Sequence, residues 1–284
     1  MIEAAEIELA FIAACREEIA APKPGNVHIF SAGHGMTAEH FYLSAEAAAG
    51  PLCVPGKPVG QRIHDAVAAS FAAVGLNTNL GILLLCAPLA AAAERGGASL
   101  QTELAKVLAA LDAKDTQHVF AAIRLASPGG LGTAERYDVH GPADATLGAA
   151  MAEAAERDRI ALQYVSNFND VFVTGFATLD AAHACGLKPP WSTIAVYLKF
   201  LSTFPDSHLL RKQGAAAALE TQREAAEMLS FFQAGGEACL ADLLAFDARL
   251  KSSNRNPGTS ADLTVATLFA DRLRSILLKP HNDG

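Results

Sequence analysis

The sequence lacks the cysteine pattern of a disulfide scaffold or a structural zinc site. Its five cysteines include no Cys-x-x-Cys pair and are odd in number. Closely spaced pairs are typical of both kinds of site, so neither is predicted. The even spacing of His28, His34 and His40 fits neither one helix face nor a zinc hairpin. We expect each cysteine to be a small buried apolar residue.

The sequence also lacks a basic stripe and a long apolar run. Lys and Arg number 22 against 30 Asp and Glu, a formal net charge of −8, which argues against a nucleic-acid partner. The longest apolar run, 80–93, contains Pro88 and is shorter than the roughly 20 residues of a membrane-spanning helix. The acidic N-terminus is unlike that of a signal peptide. We therefore expect a soluble, cytoplasmic protein with no membrane partner.

Several common catalytic motifs are missing as well. There is no GxxxxGK[ST] phosphate loop, no GxGxxG after a strand, no GxSxG elbow and no HExxH pair. These absences argue against a P-loop nucleotidase, a dinucleotide-binding Rossmann domain, an α/β-hydrolase and a zinc metalloprotease.

What the sequence has instead is helix-forming composition. Ala and Leu dominate, Glu, Arg and Gln lie between them, and alternating β-branched runs are nearly absent. The predicted helices lie near residues 3–20, 37–49, 59–75, 78–94, 99–112, 115–126, 143–156, 158–168, 170–185, 192–204, 208–233, 236–252 and 260–278. No linker is evident, so residues 1–284 are predicted to form a single compact all-α domain. Since 78–94 is apolar on every face, we expect it to be enclosed by other helices.

Five segments carry more polar chemistry than such a protein needs for folding. They are PKPGNVHIFSAGHGM (22–36), GLNTNLG (75–81), ERDRIALQYVSNFNDVF (156–172), TFPDSHLLRKQG (203–214) and NPGTSADLTVATLF (256–269). In the first, Lys23 stands between two prolines that stiffen its backbone, although the segment could equally be a surface connector. In the second, Asn77, Thr78 and Asn79 could hold a phosphate or a base, or simply cap the next helix.

The third and last segments each offer a carboxylate and a structural alternative. Asp158 and Asp170 would share one face of a continuous helix and could bind Mg²⁺, or they could serve as an ion-pair partner and a helix cap. In the last segment, Thr259 or Ser260 could cap the helix, or the helix start could bind an anion. Asp262 could complement the helix dipole, bind metal, or stabilise a positively charged sugar carbon.

The fourth segment has the densest cluster of titratable residues in the chain. Asp206, His208, Arg211 and Lys212 lie within seven positions of one another. A Pro-Asp-Ser-His start is typical of a helix cap. Histidine is also the natural proton donor near neutral pH, so the same residues could carry acid–base chemistry.

In their order along the chain, PKPGNVH, NTNLG, RDRIALQY…DVF, PDSHLLRKQG and NPGTSADLTVATLF resemble the motifs of the triphosphoribosyl-dephospho-CoA synthase family. The resemblance runs from about residue 15 to 275. It implies an all-helical fold and transfer of the triphosphoribosyl unit of ATP to the ribose 2′-hydroxyl of 3′-dephospho-CoA, with release of adenine. The family's product is the precursor of the prosthetic group of citrate lyase or malonate decarboxylase acyl carrier subunits. ATP and a CoA-like acceptor are therefore the expected partners, and a homodimer is compatible with the Ala-rich composition.

Two departures bear on the acceptor. The first family motif usually ends Pro-Gly-Leu-Val-Asp, whereas this chain has Asn26, Val27 and His28 after Pro-Gly. The middle segment LASPGGLGTAERYDVHGPADATL also differs and resembles that of a shorter subgroup. Another acceptor, such as an intermediate of a one-carbon carrier cofactor, therefore stays open. A Mg²⁺-dependent nucleotide phosphohydrolase and a non-catalytic nucleotide-binding module are the alternative functions.

The implied reaction assigns roles to residues of these segments. The predicted substrate-binding residues are Lys23, Asn77, Thr78, Asn79, Arg211, Lys212, Asn256, Gly258, Thr259 and Ser260. The predicted Mg²⁺ ligands are Asp170, Asp206 and Asp262. The predicted catalytic residues are Asp206, His208, Asp262 and His28, which would move protons or stabilise the sugar cation.

Overall fold

The chain folds into α-helices joined by short turns and two longer loops. The structure, a computed structural model, describes residues 2–97 and 99–278. Its helices are α1 (Ala4–Ala20), α2 (Ala38–Leu52), α3 (Val59–Val74), α4 (Leu80–Arg95), α5 (Leu100–Ala109), α6 (Ala113–Ala126), α7 (Leu147–Ala154), α8 (Arg159–Val165), α9 (Phe176–Ala184), α10 (Trp191–Thr203), α11 (Ser207–Gly235), α12 (Leu240–Ser252) and α13 (Gly258–Leu277). The all-α prediction is confirmed, and each predicted helix is present with ends displaced by a few residues.

Local differences from the predicted helices have identifiable causes. The predicted helix 170–185 starts as a π-helix, Asp170–Gly175, before α9 begins. Gly214 interrupts α11 with φ 85° and ψ 174°, a conformation that glycine adopts without a side-chain clash. A 3₁₀ turn, Gly236–Cys239, precedes α12, which accordingly starts four residues after the predicted 236.

Helix α4 lies at the centre of the fold. Its side chains are buried on every face, from Leu80 to Ala93, apart from partial exposure at Gly81 and Ala91. It packs against α1, α3, α5, α8 and α13. The prediction that 78–94 is an enclosed helix is confirmed, and its start is held rigidly inside the molecule.

The cysteine and membrane expectations have separate outcomes. Four cysteines are buried, but Cys185 is exposed, so the expectation of burial was wrong for that residue because it follows the exposed end of α9. Across residues 2–97 and 99–278, no single helix is both long and apolar enough to cross a membrane. Only α4 and α5 taken together meet the length and composition required, and they are bent by 112°.

Candidate functional site

A polar cleft lies where the starts of α4, α11 and α13 meet the loop 22–36. Its volume is about 290 Å³. Its polar lining comprises Glu18, Asn26, His34, Asn77, Thr78, Asn79, Ser127, Asp158, His208, Arg211, Lys212, Asn256, Thr259 and Asp262. The fold thus brings segments from six distant parts of the chain to one place.

Two helix starts direct the positive ends of their backbone dipoles to this cleft. Leu80 begins α4 and Gly258 begins α13, and both residues line the cleft. The N-terminal end of a helix carries a partial positive charge, which favours anions. His208 lies directly over Gly258, where a β-carbon would overlap its Nδ1. Only glycine lets the two helix starts approach this closely.

Asp206 is a structural cap, which corrects its predicted metal and catalytic roles. It is fully buried. Its Oδ1 accepts the N–H of His208 at 2.9 Å and of Leu209 at 3.2 Å. Its Oδ2 accepts both the N–H and the hydroxyl of Ser260, each at 2.8 Å. One carboxylate therefore caps α11 and α13 together, and neither of its oxygens faces the cleft.

The same contacts correct two predictions for the start of α13. The helix begins at Gly258, so neither Thr259 nor Ser260 is its N-cap residue. Ser260 is buried and donates both its polar hydrogens to Asp206, so it is not an anion ligand. Thr259 and Gly258 do line the cleft, as predicted for substrate-binding residues.

Asp262 contrasts with Asp206, although both belong to the same helix junction. Asp262 is partly exposed to the cleft, and among the described residues no donor hydrogen-bonds to its carboxylate. Burial raises its pKa well above the ordinary 3.8, and the negative charges of Asp206, Glu18 and Asp158 raise it further. Its Oδ2 packs against Gly81, where a β-carbon would overlap it. An unpaired carboxylate held this way is available to a substrate cation or a metal.

Arg211 and Lys212 supply the cations of the cleft. Arg211 donates Nε to the carbonyl of Gly129 at 3.1 Å, and its Nη1 lies 3.6 Å from Oδ2 of Asp158. Within the described residues Lys212 has no ion-pair partner, and its pKa is lowered by burial and by the neighbouring Arg211. Both side chains line the cleft as predicted, and the Lys212 ammonium is the freer of the two.

His208 lines the cleft and has a lowered pKa. Burial lowers its pKa to about 3, helped by the positive charges of Lys212, Arg211 and His34. The imidazole is therefore neutral at neutral pH in the substrate-free protein, which is the form that can accept a proton. An anion bound between these cations would raise the pKa again.

Lys23 and His28 lie outside the cleft, which corrects both predicted roles. Lys23 is fully buried, and its Nζ donates to the carbonyls of Glu18 at 2.8 Å and Val27 at 2.9 Å. The same Nζ lies 3.1 Å from Oε1 of Glu18. His28 is buried with Nε2 3.4 Å from Oδ2 of Asp247, and burial lowers its pKa. Both residues hold the loop in shape and cannot reach a substrate in the cleft.

Asp170 is committed to an internal ion pair, which corrects its predicted role as a metal ligand. Its oxygens accept Nε and Nη2 of Arg159 at 2.7 and 2.9 Å, and Nε2 of Gln163 at 2.6 Å. Helix α8 also ends at Val165, so Asp158 and Asp170 do not share one helix face. In the part of the chain that the structure describes, no three His, Cys, Asp or Glu side chains are grouped to hold a metal.

Asn77, Thr78 and Asn79 make contacts that fix the helix start, and their binding role stays a prediction. All three line the cleft. Oδ1 of Asn77 accepts the N–H of Leu80 at 3.3 Å, which caps α4. Thr78 donates to Ser44 at 2.6 Å, and Asn79 donates its amide to a serine of α3 at 2.9 Å. Their side chains thus fix the start of α4 at the cleft wall.

Sequence reasoning missed several cleft residues. Glu18, Asn26, His34, Met36 and Phe41 line the cleft but were not predicted as site residues. A signal for Glu18 does exist in the sequence. Glu18 lies four positions after Ala14 and three after Cys15, so it is an isolated acid on the buried apolar face of α1.

A second, larger cavity adjoins the cleft and is called the apolar cavity below. Its volume is about 520 Å³, and it lies between α6, α7, α8 and residues of the loop 127–142. The residues that line both spaces are Leu84, Ile123, Leu131, Asp158, Ile160 and Arg211. The loop belongs to the middle segment whose difference from the family was expected to bear on the acceptor.

Comparisons with known proteins show the family of the chain. A family model described as ATP:dephospho-CoA triphosphoribosyl transferase matches residues 4–280. The chain belongs to this family. Over 95 residues it is 30% identical to 2-(5''-triphosphoribosyl)-3'-dephosphocoenzyme-A synthase from Klebsiella pneumoniae, and this match spans 34% of each chain.

A solved structure supports the fold. A crystal structure from Archaeoglobus fulgidus, described provisionally as a triphosphoribosyl-dephospho-CoA synthase, has a TM-score of 0.64 to this chain. The likeness covers 80% of this chain and 95% of that one, at 23% identity. Membership of the transferase family thus rests on the sequence match, and the helical architecture on the structural match as well.

Proposed function

We propose that the polar cleft binds ATP and that this family member transfers its triphosphoribosyl unit to the 2′-hydroxyl of 3′-dephospho-CoA, with release of adenine. The observation that carries the proposal is the position of Asp262. Its unpaired carboxylate faces the same cleft as the free Lys212 ammonium and the starts of α4 and α13. The carboxylate can stabilise a sugar cation, and the ammonium and the helix starts can bind a polyphosphate beside it.

The reaction makes one bond and breaks another at a single ribose carbon. The acceptor oxygen bonds to C1′ of ATP, and the bond from C1′ to N9 of adenine breaks. Adenine leaves with the electron pair and takes up a proton, while the acceptor hydroxyl loses one. As in glycoside hydrolysis, C1′ carries positive charge in the transition state. A carboxylate placed beside C1′ stabilises that charge.

The triphosphate needs cations, and the cleft offers several kinds. Lys212 and Arg211 provide side-chain charge on α11, and the helix starts at Leu80 and Gly258 add backbone dipoles. Lysine, arginine and helix N-termini are common phosphate ligands. Thr259 and Asn256 extend the same wall.

The acidic side chains of the cleft fit a divalent cation that arrives with the nucleotide. Glu18, Asp158 and Asp262 line the space that would hold about four negative charges of the triphosphate. Mg²⁺ commonly binds through one or two carboxylates together with substrate phosphates. Asp262 is the side chain that would hold it here, because Asp158 caps α8 through Oδ1 and lies beside Arg211 through Oδ2. Bound Mg²⁺ would neutralise phosphate charge and so favour the ionised form of Asp262.

The proton transfers fall to residues other than Asp206 and His28. His208 is a neutral imidazole in the cleft, and a bound triphosphate would offset the cations that lower its pKa. It can then accept the acceptor proton or donate to adenine. Asp262 remains the group beside the sugar carbon.

The proposal is tested by product analysis. The purified protein is incubated with ATP, Mg²⁺ and 3′-dephospho-CoA, and free adenine and the mass of the CoA species are followed. We expect stoichiometric adenine and a triphosphoribosyl mass gain on the acceptor. ADP, AMP or phosphate without adenine would contradict the proposal and favour a phosphohydrolase. Adenine without a CoA adduct would point to a different acceptor, and ATP binding without turnover to a binding module.

A further inference from the structure

The apolar cavity is unlike the cleft beside it. Most of its lining is aliphatic or aromatic and comes from three helices and a loop. The apolar residues from α6, α7 and α8 are Val119, Phe120, Ile123, Leu147, Ala150, Met151, Ala154, Ile160 and Ala161. Pockets of this size and character bind uncharged bodies of small molecules. Its charged lining residues are three arginines and three acids, so a triphosphate would lose its hydration there without an excess of cations.

The cavity reaches the place where the chemistry would occur. Ile160 lines both spaces, and its Cδ1 lies 2.8 Å from the position that a β-carbon on Gly81 would take. Oδ2 of Asp262 packs against that same position. The unpaired carboxylate is therefore a neighbour of the wall between cleft and cavity. A molecule seated in the cavity could present a hydroxyl to a sugar carbon beside Asp262.

The lining of the cleft contains residues of the kind that bind a purine ring. Met36 and Phe41 are apolar members of this lining, and Asn77 is an exposed member that carries an amide. A purine ring fits such a combination of an aromatic face and an amide. The donor nucleotide thus does not need the apolar cavity, and a second molecule can occupy it.

We infer that the apolar cavity binds the uncharged body of the acceptor, which reaches the donor sugar from the side of α7 and α8. This inference rests on the proposed function. Exposed Arg136 and Arg157 border the cavity and supply cations for the pyrophosphate of a CoA-like acceptor. Donor and acceptor then meet at the shared wall, where Arg211 and Asp158 line both spaces.

The test fills the cavity with a larger side chain. Ala154 lines the cavity from the last turn of α7 and is half-buried, so Ala154→Trp occupies the space from its edge. Ala152→Trp is the matched control, because Ala152 lies on the same helix, is exposed and does not line the cavity. Calorimetry measures the affinity of each variant for ATP and for 3′-dephospho-CoA, the latter with and without inorganic triphosphate in the cleft.

We expect Ala154→Trp to weaken 3′-dephospho-CoA binding by at least about tenfold and to leave ATP affinity within about twofold of wild type. Ala152→Trp should change neither. Unchanged acceptor affinity in Ala154→Trp, or no acceptor binding to the wild type, would overturn the inference. Loss of ATP affinity instead would assign the cavity to the donor and overturn it equally.

Two further measurements distinguish misfolding of the variant from weaker acceptor binding, and failure of this inference from failure of the proposed function. If Ala154→Trp does not fold by circular dichroism, Ala154→Leu provides a smaller obstruction with the same expected direction. Wild-type adenine release is assayed independently of the calorimetry. Acceptor binding that depends on the cavity, without adenine release, would contradict the proposed function and leave the cavity assignment intact.

Discussion

The loop 22–36 packs against the start of α13, but the polar groups of the two segments differ in whether they have partners inside the protein. Gly25 has φ +81° and packs so tightly on the α13 segment that a β-carbon would lie 2.8 Å from Pro257. Asn26 donates its amide to Asn256 at 2.9 Å. Lys23 and His28 of the loop are buried, each with a carboxylate partner, Glu18 and Asp247 respectively. Asp262 of α13 instead faces the cleft without one.

The two regions therefore contain two kinds of polar cluster, one whose ionisable groups have partners within the protein and one with an unpaired carboxylate. A buried ion that has its partners within the protein stabilises one conformation of the loop. A charged group that is partly desolvated and unpaired destabilises the folded protein, and such groups are typical of functional sites. The difference between the regions therefore lies in the partners of each charge, and mutations can test it region by region.

The largest loss of stability is expected from the loop. Lys23→Ala leaves Glu18 buried without its cation, and removing one partner of a buried ion pair costs about 3–5 kcal/mol. We expect this loss in chemical denaturation, with ATP affinity of the folded protein changed far less than in Lys212→Ala. Near-native stability together with loss of ATP binding would place Lys23 at the substrate after all.

The shared cap between α11 and α13 should give the next effect. Asp206→Ala removes the acceptor for four donors and exposes the junction of two helices. Loss of a helix cap typically costs about 0.5–2 kcal/mol, so the double cap should cost about 1–4 kcal/mol. Thermal unfolding of the variant measures it. A stability equal to that of the wild type would mean that Asp206 does not hold the two helices together.

Replacing Lys212, a cation of the cleft, should weaken ATP binding and leave stability nearly unchanged, which is the reverse of the effects expected for Lys23. Lys212→Ala removes an ammonium that has no ion-pair partner in the described residues, so stability should change by less than about 0.5 kcal/mol. The KM for ATP should rise by about tenfold or more, since one charged contact to phosphate is lost. The half-buried Lys199→Ala on α10 is a control outside the cleft lining. Equal KM values in both variants would remove Lys212 from the triphosphate site.

The smallest expected effect is a decrease in kcat, caused by a variant that displaces the Asp262 carboxylate without removing it. Gly81→Ala adds a methyl group that overlaps Oδ2 of Asp262 and should move the carboxylate. We expect kcat to fall by about three- to tenfold, because misplacement of a catalytic group by less than an ångström is costly. Gly50→Ala is the control, since a β-carbon on this helical glycine meets nothing within 4 Å. Equal kcat values would show that the carboxylate position does not matter.

The sequence predicted the helices well because their apolar periodicity and composition are local signals. It also predicted cleft residues at the starts of α4, α11 and α13, where turn residues precede apolar runs. It could not distinguish Asp206 from Asp262, because both are acids near a helix start. What separates them is tertiary: Ser260 lies against Asp206, whereas Gly81 and Ile160 lie beside Asp262.

The same limit explains the other misplaced residues. A lysine between prolines suggests a positioned surface charge, yet the buried Lys23 donates to the carbonyls of Glu18 in α1 and of Val27 in its own loop. Asp170 has the sequence appearance of a metal ligand, but Arg159 and Gln163 reach it only because the chain breaks between α8 and the π-helix. Contacts that depend on a break between helices cannot be predicted from the periodicity of apolar residues along the chain.

Asp262→Asn tests the central claim most directly, with turnover and pH-dependent stability measured on one preparation. The folded protein keeps the Asp262 proton at pH values where the unfolded chain has released it, so wild-type stability falls as pH rises above the ordinary pKa of 3.8. The account predicts that the variant is at least as stable as wild type at neutral pH, an advantage that disappears below pH 3.8. It also predicts a loss of about 10²–10³ in kcat for adenine release. Wild-type turnover, or a marked loss of stability at neutral pH, would contradict the account.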